Sequence, residues 1–382
     1  MIDILASLNI YLLLSIESCT INLIYNSVYQ LEEYGETMKK CCNNCFEDFG
    51  FWSYIYKNGI VGKCDFCCQK GQSCLNLDDE IFSKLFTLIK KMYIEMPVRQ
   101  SKHLFSFIQG EWNLFSQSTD QSELLNELCK IHGTNPETYY VFNPDYYHLT
   151  NVWQDYKNTV KHKNRFINSI PEEIEVLLSY PNPNQRYKLL HKENTLYRAR
   201  IGSADDIVLC PYPANLNDMG MPPVSKVRAG RANPDGIPYL YLASSRKTAI
   251  AEVRPWSGAL LTIATFKLNE SLNTINFSIF NNKRLFDYIE CKNIDDALDQ
   301  LQFFNNLSSE MSQPISPNES YLEYIPTQYV TEFIKNEGYD GIIFDSSLGL
   351  GQNVVLFSQD NVEVTATELI KIGQIQYDFS EE

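Results

Sequence analysis

The stretch GRANPDGIPYLYLASSRKTAIAEVRP, residues 230–255, is the densest part of the chain. Gly230 and Arg231 lead into a Pro/Gly turn at Pro234 and Gly236. The apolar aromatic run IPYLYLA that follows predicts a strand. Ser245 stands where a short helix would be capped, and the helix ends in Glu252 and Arg254. A glutamate on an otherwise small and apolar helix face is costly in a core and useful in a catalytic pocket.

The same texture extends on both sides of this stretch. TLYRARI, ALLTIATFKL, YDGIIFD and NVVLFS are short β-type runs separated by Pro, Gly and Asn. SSRKTAIAEV, IDDALDQLQFFNNLSSEM and PTQYVTEFIKNEG carry helical spacing between them. From about residue 194 the chain therefore predicts a mixed α/β domain. No histidine follows His191, which excludes a Ser-His-Asp triad within that domain. Acid, base and electrostatic roles there fall to carboxylate, Tyr, Lys, Ser or Cys. No GxGxxG follows a strand and no GxxxxGK[ST] occurs; GLGQN, residues 349–353, lies between two predicted strands.

The first half reads differently. LDDEIFSKLFTLIKKMYIEM places apolar residues at Ile81, Phe82, Leu85, Phe86, Ile89 and Met92, a helical period. SELLNELCKIHG predicts a second helix, stopped by Gly133. Eleven cysteines occur, seven of them between Cys41 and Cys74. CCNNC and CDFCC give Cys42-x2-Cys45 and Cys64-x2-Cys67, two knuckles eighteen residues apart. Each knuckle presents two thiolates to one ion, and the spacing suits a structural, tetrahedral zinc site. Cys41 or Cys68 can replace a neighbour, and Cys74 is a further candidate.

The expected order is a mostly helical module over residues 1–165 with a zinc-binding insertion at 41–74. A hinge helix at 166–193 follows, capped by Ser169, begun by Pro171 and terminated by YPNPN. The α/β domain spans 194–365 and an acidic tail 366–382, giving an α+β chain overall. The apolar run Leu8–Ile16 follows Asp3 and no Lys or Arg, unlike a signal peptide, and reads as a buried helix or strand, with a cryptic secretion or membrane-association element as the alternative. A cytoplasmic location is expected. No membrane span is expected either. With 382 residues, 44% hydrophobic and 13% aromatic, the chain can fill two cores. Its net charge of −15 argues against nucleic acid as the main partner.

Three ordered blocks carry a resemblance. LYRARI supplies an Arg; GRANPDGIPYLYLASSRKTAIAEVRP supplies a Glu; EYIPTQYVTEFIKNEGYDGIIFDSSLGLGQNVVLF supplies a Ser. Together they resemble the RES domain family over roughly residues 194–365, and the first half resembles the cysteine-bearing HEPN/RES-type module that precedes some RES domains. Arg99 and His103 are too closely spaced for a HEPN ribonuclease pair. The resemblance implies an ADP-ribosyltransferase-like fold and a toxin that splits the nicotinamide–ribose bond of NAD+, by hydrolysis or, with inorganic phosphate as co-substrate, by phosphorolysis.

In that frame Arg198, Glu252 and Ser346 are the catalytic candidates, with Ser347 an alternative to Ser346. Tyr197, Arg231, Tyr241 and Asn353 are the substrate-binding candidates. Glu252 would stabilise the cationic ribose, Arg198 and Arg231 would bind phosphate, and Ser346 would bond ribose or phosphate. Ala232 departs from the family's more frequent aromatic, and Asp345 precedes the Ser. Expected partners are NAD+, an antitoxin or regulatory protein, and a second copy of the chain, in the protein's own cytoplasm or that of a target cell. Two rivals remain: a mono-ADP-ribosyltransferase acting on a macromolecule, and an inactive zinc-bearing binding module.

Overall fold

The computed structural model describes residues 38–96, 101–179, 187–202, 216–278, 284–313 and 321–375, which fall into two compact units. The expectations for residues 8–16, Arg99, the terminator at 180–184 and the last residues, 376–382, lie outside the described residues. Among the described residues no helix is long and apolar enough to cross a membrane.

One unit holds residues 38–87 and 113–138. Strands β1 (Lys40–Cys42), β2 (Ile60–Lys63) and β3 (Lys70–Asn76) form an antiparallel sheet in the order β1-β3-β2. The helix Phe49–Asn58 starts where the Asp48 carboxylate accepts the Gly50 N–H at 2.9 Å. The apolar period of 81–92 forms the helix Glu80–Met92, with Asp79 accepting from the Ile81 N–H at 3.0 Å. The helix Gln121–His132 is capped by Asp120 and stopped by Gly133 at φ 66°, in the left-handed region that glycine adopts at little cost. The region is thus helical where the period was clear, but strands surround the cysteines. Those strands escaped the sequence because Lys, Gly, Gln and Asn fill them and no two-residue alternation survives.

The other unit holds residues 88–112 and 139–375 of the described chain. A small sheet takes β4 (Tyr93–Glu95), β5 (Lys102–His103) and β6 (Tyr139–Phe142) in the order β4-β6-β5. The main sheet takes β7 (Tyr187–Leu190), β8 (Thr195–Ile201), β9 (Leu240–Ala243), β10 (Leu260–Leu268), β11 (Leu272–Asn276), β12 (Gly341–Asp345), β13 (Gln352–Leu356) and β14 (Val362–Lys371). Its order is β14-β10-β8-β9-β13-β12-β11-β7, antiparallel throughout except for the parallel pair β11/β12. The helix His148–His162 also belongs to this unit. It packs on Ile294–Ser312, where the Trp153 indole N–H donates to Glu310 Oε2 at 3.1 Å and Lys157 pairs with the same carboxylate. The helix at 172–179 begins only after Pro171, so Ser169 lies two residues short of a capping position.

Period-two alternation gives the main sheet two unlike faces. One buries large side chains, among them Leu196, Leu240, Leu242, Phe266, Ile343 and Leu356. The other is lined by Ala199, Ala243, Leu261 and Ile263, with Ala249 of the helix Arg246–Glu252 and Ala259 packed among them. Methyl-sized side chains let that short helix lie close to the strands. Between β8 and β9 the ladder is reduced to one register position, Tyr197 opposite Ala243. Their neighbours β10/β8 and β13/β9 pair over seven and four positions. The sheet is therefore weakly joined where its alanine-lined face carries the helix.

Candidate functional site

A cavity of about 380 Å³ opens at this weak join. Tyr197 and Arg198 of β8, Tyr241 of β9, Asn353 of β13, Glu252 of the short helix and Arg231 of the preceding loop all line it. Six of the seven expected site residues therefore converge from segments spread over residues 197–353. Ser346 is not a lining residue and reaches the site through Glu252.

Local sequence explains how Glu252 arrives there. Ser245 Oγ accepts the Thr248 N–H at 3.1 Å and caps the helix. Ala249, 4% exposed, packs on the sheet, and Glu252, three residues on, shares its side of the helix. The chain then leaves through Arg254, whose φ of 45° and the following Pro255 end the helix.

Glu252 is held by one of its two oxygens. The Ser346 hydroxyl and the Asn353 side-chain amide each donate to Oε1 at 2.7 Å. Oε2 has no partner among the described residues. Ser346 is itself fixed, since its N–H donates to the Gly351 carbonyl at 2.9 Å and its Oγ accepts the Leu348 N–H at 3.1 Å. The β12–β13 loop is tied to the helix by Thr248 Oγ1, which donates to the Leu350 carbonyl at 2.9 Å. Gly351 has φ 143°, and a Cβ there would run into Thr248 Oγ1, so glycine is required at that approach. Ser347 is exposed and has no such contact. Between the two adjacent serines, the geometry selects Ser346 as the partner of Glu252.

Two guanidinium groups face the same space. Arg198 donates through Nη1 to the Gly220 carbonyl at 2.8 Å. Burial, with Arg200 two residues along the same face, pulls its pKa down to about 10. It stays cationic at neutral pH, a desolvated charge that an anion would relieve. Arg231 donates through Nη1 to the Met311 carbonyl at 3.2 Å, at the end of the helix Ile294–Ser312. Tyr241 turns its ring to the cavity while its hydroxyl donates to Asn233 Oδ1 at 2.8 Å and accepts the Ala232 N–H at 3.1 Å. Burial pushes this phenol up to about 12, so it remains neutral. Sequence reasoning gave Asn233 no role; its only signal was its place within the Gly-Arg-x-Asn run.

The cysteine unit holds a second constellation. The sulfurs of Cys42, Cys45, Cys64 and Cys67 all lie within 4.8 Å of one another, and three pairs stand at 3.4, 3.5 and 3.8 Å. Zn–S bonds of about 2.3 Å in a tetrahedron put sulfurs about 3.8 Å apart, so this donor set fits one such ion. Hydrogen bonds from the Cys42 and Cys45 thiols hold the Cys64 thiol well below its ordinary value, and the Phe66 N–H donates to Cys64 Sγ at 3.4 Å. Hydrogen bonding with Cys42 and Cys64, together with burial, holds the Cys45 thiol well above its ordinary value, and the nearby Thr119 Oγ1 is buried without a hydrogen-bond partner among the described residues. Cys41, Cys68 and Cys74 stand outside this set of four.

Comparison with known proteins places only part of the chain. No curated protein matches it. The crystal structure of the M. tuberculosis MbcT–MbcA toxin–antitoxin complex contains a chain 12% identical, covering 54% of this chain and 94% of that one, with a TM-score of 0.31. No family match supports the HEPN/RES-type resemblance of the cysteine-bearing region. From the residue after Arg198 onward, through Arg231, Glu252, Ser346 and Asn353, residues 199–379 match the family model of the RES domain.

Proposed function

We propose that the unit carrying the eight-stranded main sheet cleaves the nicotinamide–ribose bond of NAD+ and passes the ADP-ribosyl group to water or inorganic phosphate. One observation carries the reading: the Glu252 carboxylate is held through Oε1 by Ser346 and Asn353, in a cavity it shares with Arg198 and Arg231. The RES match over 199–379 supports it, because relatives in the family this chain resembles consume NAD+.

The chemistry follows from the charges. Arg198 and Arg231 bind the pyrophosphate oxygens through their remaining N–H groups. The bond between C1″ and the pyridine nitrogen breaks, and its electron pair leaves with nicotinamide, which becomes neutral. The leaving group needs no proton. Positive charge develops on the ribosyl carbon and ring oxygen, and the Glu252 carboxylate stabilises it. Because Ser346 and Asn353 already fix that carboxylate, little reorganisation accompanies the step. The acceptor oxygen then bonds to C1″. Water gives up one proton, through Glu252 or to solvent, and yields ADP-ribose; hydrogen phosphate yields the 1″-phosphate. Ser346 acts here through Glu252, and Tyr241 and Tyr197 offer ring surface to the nicotinamide.

In a cell such activity depletes NAD+, the action of a toxin or effector working in cytoplasm and restrained by an antitoxin or regulatory partner. The cysteine set holds a structural Zn2+, whose four thiolates leave no open position for chemistry. Incubation of the zinc-loaded full chain with NAD+ tests the reading, followed by mass spectrometry beside a Glu252→Gln variant. Free nicotinamide that disappears in the variant is the expected result, and the co-product names the acceptor. ADP-ribose attached to a macromolecule would make the protein a transferase instead. Intact NAD+ would leave only a binding module.

A further inference from the structure

The loop carrying Arg231 is fixed from a distance by two buried polar side chains outside the cavity lining. Thr327 and Gln328 lie in the first turn of the helix Ile325–Asn336 and are 3% and 8% exposed. Gln328 Nε2 donates to the Gly230 carbonyl at 2.8 Å and to the Asn233 carbonyl at 3.0 Å, so one amide closes both ends of the turn. The Thr327 hydroxyl reaches the Arg231 carbonyl at 2.7 Å. The turn is also closed internally by the Gly230 N–H on the Asn233 carbonyl at 2.8 Å. The guanidinium rests on the Met311 carbonyl. A buried polar pair costs stability unless its hydrogen bonds are made, and here all of them go to the backbone of residues 230–233 and of Tyr324.

We infer that Thr327 and Gln328 are positioning residues that hold Arg231 at the cavity, so that the affinity of the site for the phosphate groups of a dinucleotide depends on this helix turn. The physical ground is specific. Arginine has a long flexible stem, and its cation binds phosphate tightly only when the ordering has been done before the ligand arrives. Fixing the backbone on both sides of Arg231 and its own carbonyl anchors the base of that stem, and the Met311 carbonyl holds its far end. Apolar residues of equal volume would support the helix equally well, but would leave the Gly230 and Arg231 carbonyls without these donors and the Asn233 carbonyl with the Gly230 N–H alone. The inference rests on the proposed reading of the cavity only in its choice of ligand.

The experiment uses the zinc-loaded full chain and two readouts: kcat and KM for NAD+, and calorimetric binding of ADP-ribose and inorganic pyrophosphate. Gln328→Met removes the donor at nearly constant volume and is expected to raise KM and weaken ADP-ribose binding about tenfold, with a much smaller change in kcat. Combined with Arg231→Ala, it is expected to add almost nothing, because its effect passes through that arginine. Thr327→Val should repeat the loss more weakly and Thr327→Ser should restore it, a pair that keeps the test open should Gln328→Met fold poorly. A loss that multiplies undiminished on the Arg231→Ala background would overturn the inference, as would wild-type binding in Gln328→Met and Thr327→Val. A wild-type chain that binds ADP-ribose without cleaving NAD+ would sink the proposed reaction and leave the positioning role readable by binding alone. A chain that does neither would overturn both.

Discussion

The cysteine cluster and the cavity in the main sheet solve opposite problems. The cluster gathers four identical donors from two short knuckles within 26 positions, Cys42 to Cys67. Local turns set the spacing inside each knuckle, and the pairing of β1 with the β2–β3 hairpin brings the knuckles together. The cavity gathers unlike groups from five segments across residues 197–353, and only the completed sheet brings them together. A site built from near neighbours writes its chemistry into a spacing. A site built across a sheet leaves only ordinary residue types in ordinary places, and its meaning depends on which oxygen each donor reaches.

The sharpest way to break this comparison is to strip from the four sulfurs the Zn2+ that we propose they hold. Structural zinc sites carry apparent binding energies of about 10–16 kcal/mol, which small units spend on folding. A strong chelator, or Cys45→Ser, should therefore cost the cysteine unit its cooperative structure. Trp52 offers a local reporter, since its indole N–H donates to Asn44 Oδ1 at 3.3 Å, inside the first knuckle. A red shift of indole emission on chelation, reversed by Zn2+ and not by Mg2+, is expected. Unchanged emission and an unchanged melting profile would mean that the four sulfurs hold no ion that matters to the fold.

Next in size is Glu252→Gln, which keeps shape and hydrogen bonding but loses the charge that the proposed reaction sets against the ribose. A fall in NAD+ cleavage of about 10²–10³ is expected, as for other groups that stabilise developing charge, with the melting temperature nearly unmoved. A drop of twofold would remove Glu252 from the chemistry.

The comparison is sharpened by the two donors on Oε1. Ser346→Ala or Asn353→Ala alone should cost about 1–2 kcal/mol of transition-state stabilisation, a factor of roughly ten in kcat, because one donor still orients the carboxylate. The pair removed together should lose more than the product of the single effects. On a Glu252→Gln background each should lose much of its effect, because the orientation being fixed no longer belongs to a charge. Strict multiplicative behaviour in both cycles, read from single-turnover rates, would mean that the serine acts on substrate directly.

How much was legible follows the same divide. The strand TLYRARI, the helix from Ser245 to Glu252 and the long amphipathic helices were readable because period and caps are local. Strands β7, β11 and β14 were not foreseen. YKLL and LNTIN are short, and VEVTATELIK mixes charge with β-branched residues on a strand that lies at the sheet's edge. The parallel pair β11/β12 depends on a connection of more than sixty residues that no window of sequence contains. Among site residues, the identities came from order along the chain, but the attachment of Ser346 to Glu252 came from the turn at Gly351, which is a property of the fold.

Tyr241 puts the smallest prediction where the two ways of building a site overlap. Its ring is cavity wall, and its hydroxyl is part of the loop that carries Arg231. Tyr241→Phe keeps the wall and leaves the Ala232 N–H and Asn233 Oδ1 without that partner, which should lower stability by about 1–2 kcal/mol in a thermal or denaturant melt. Because the Arg231 turn retains its bonds from Thr327 and Gln328, the rise in KM should be a few-fold only. Tyr241→Leu removes the aromatic surface as well and should raise KM further if nicotinamide stacks there. Equal KM values for Phe and Leu would show that the tyrosine serves the loop and contributes no stacking surface to the substrate.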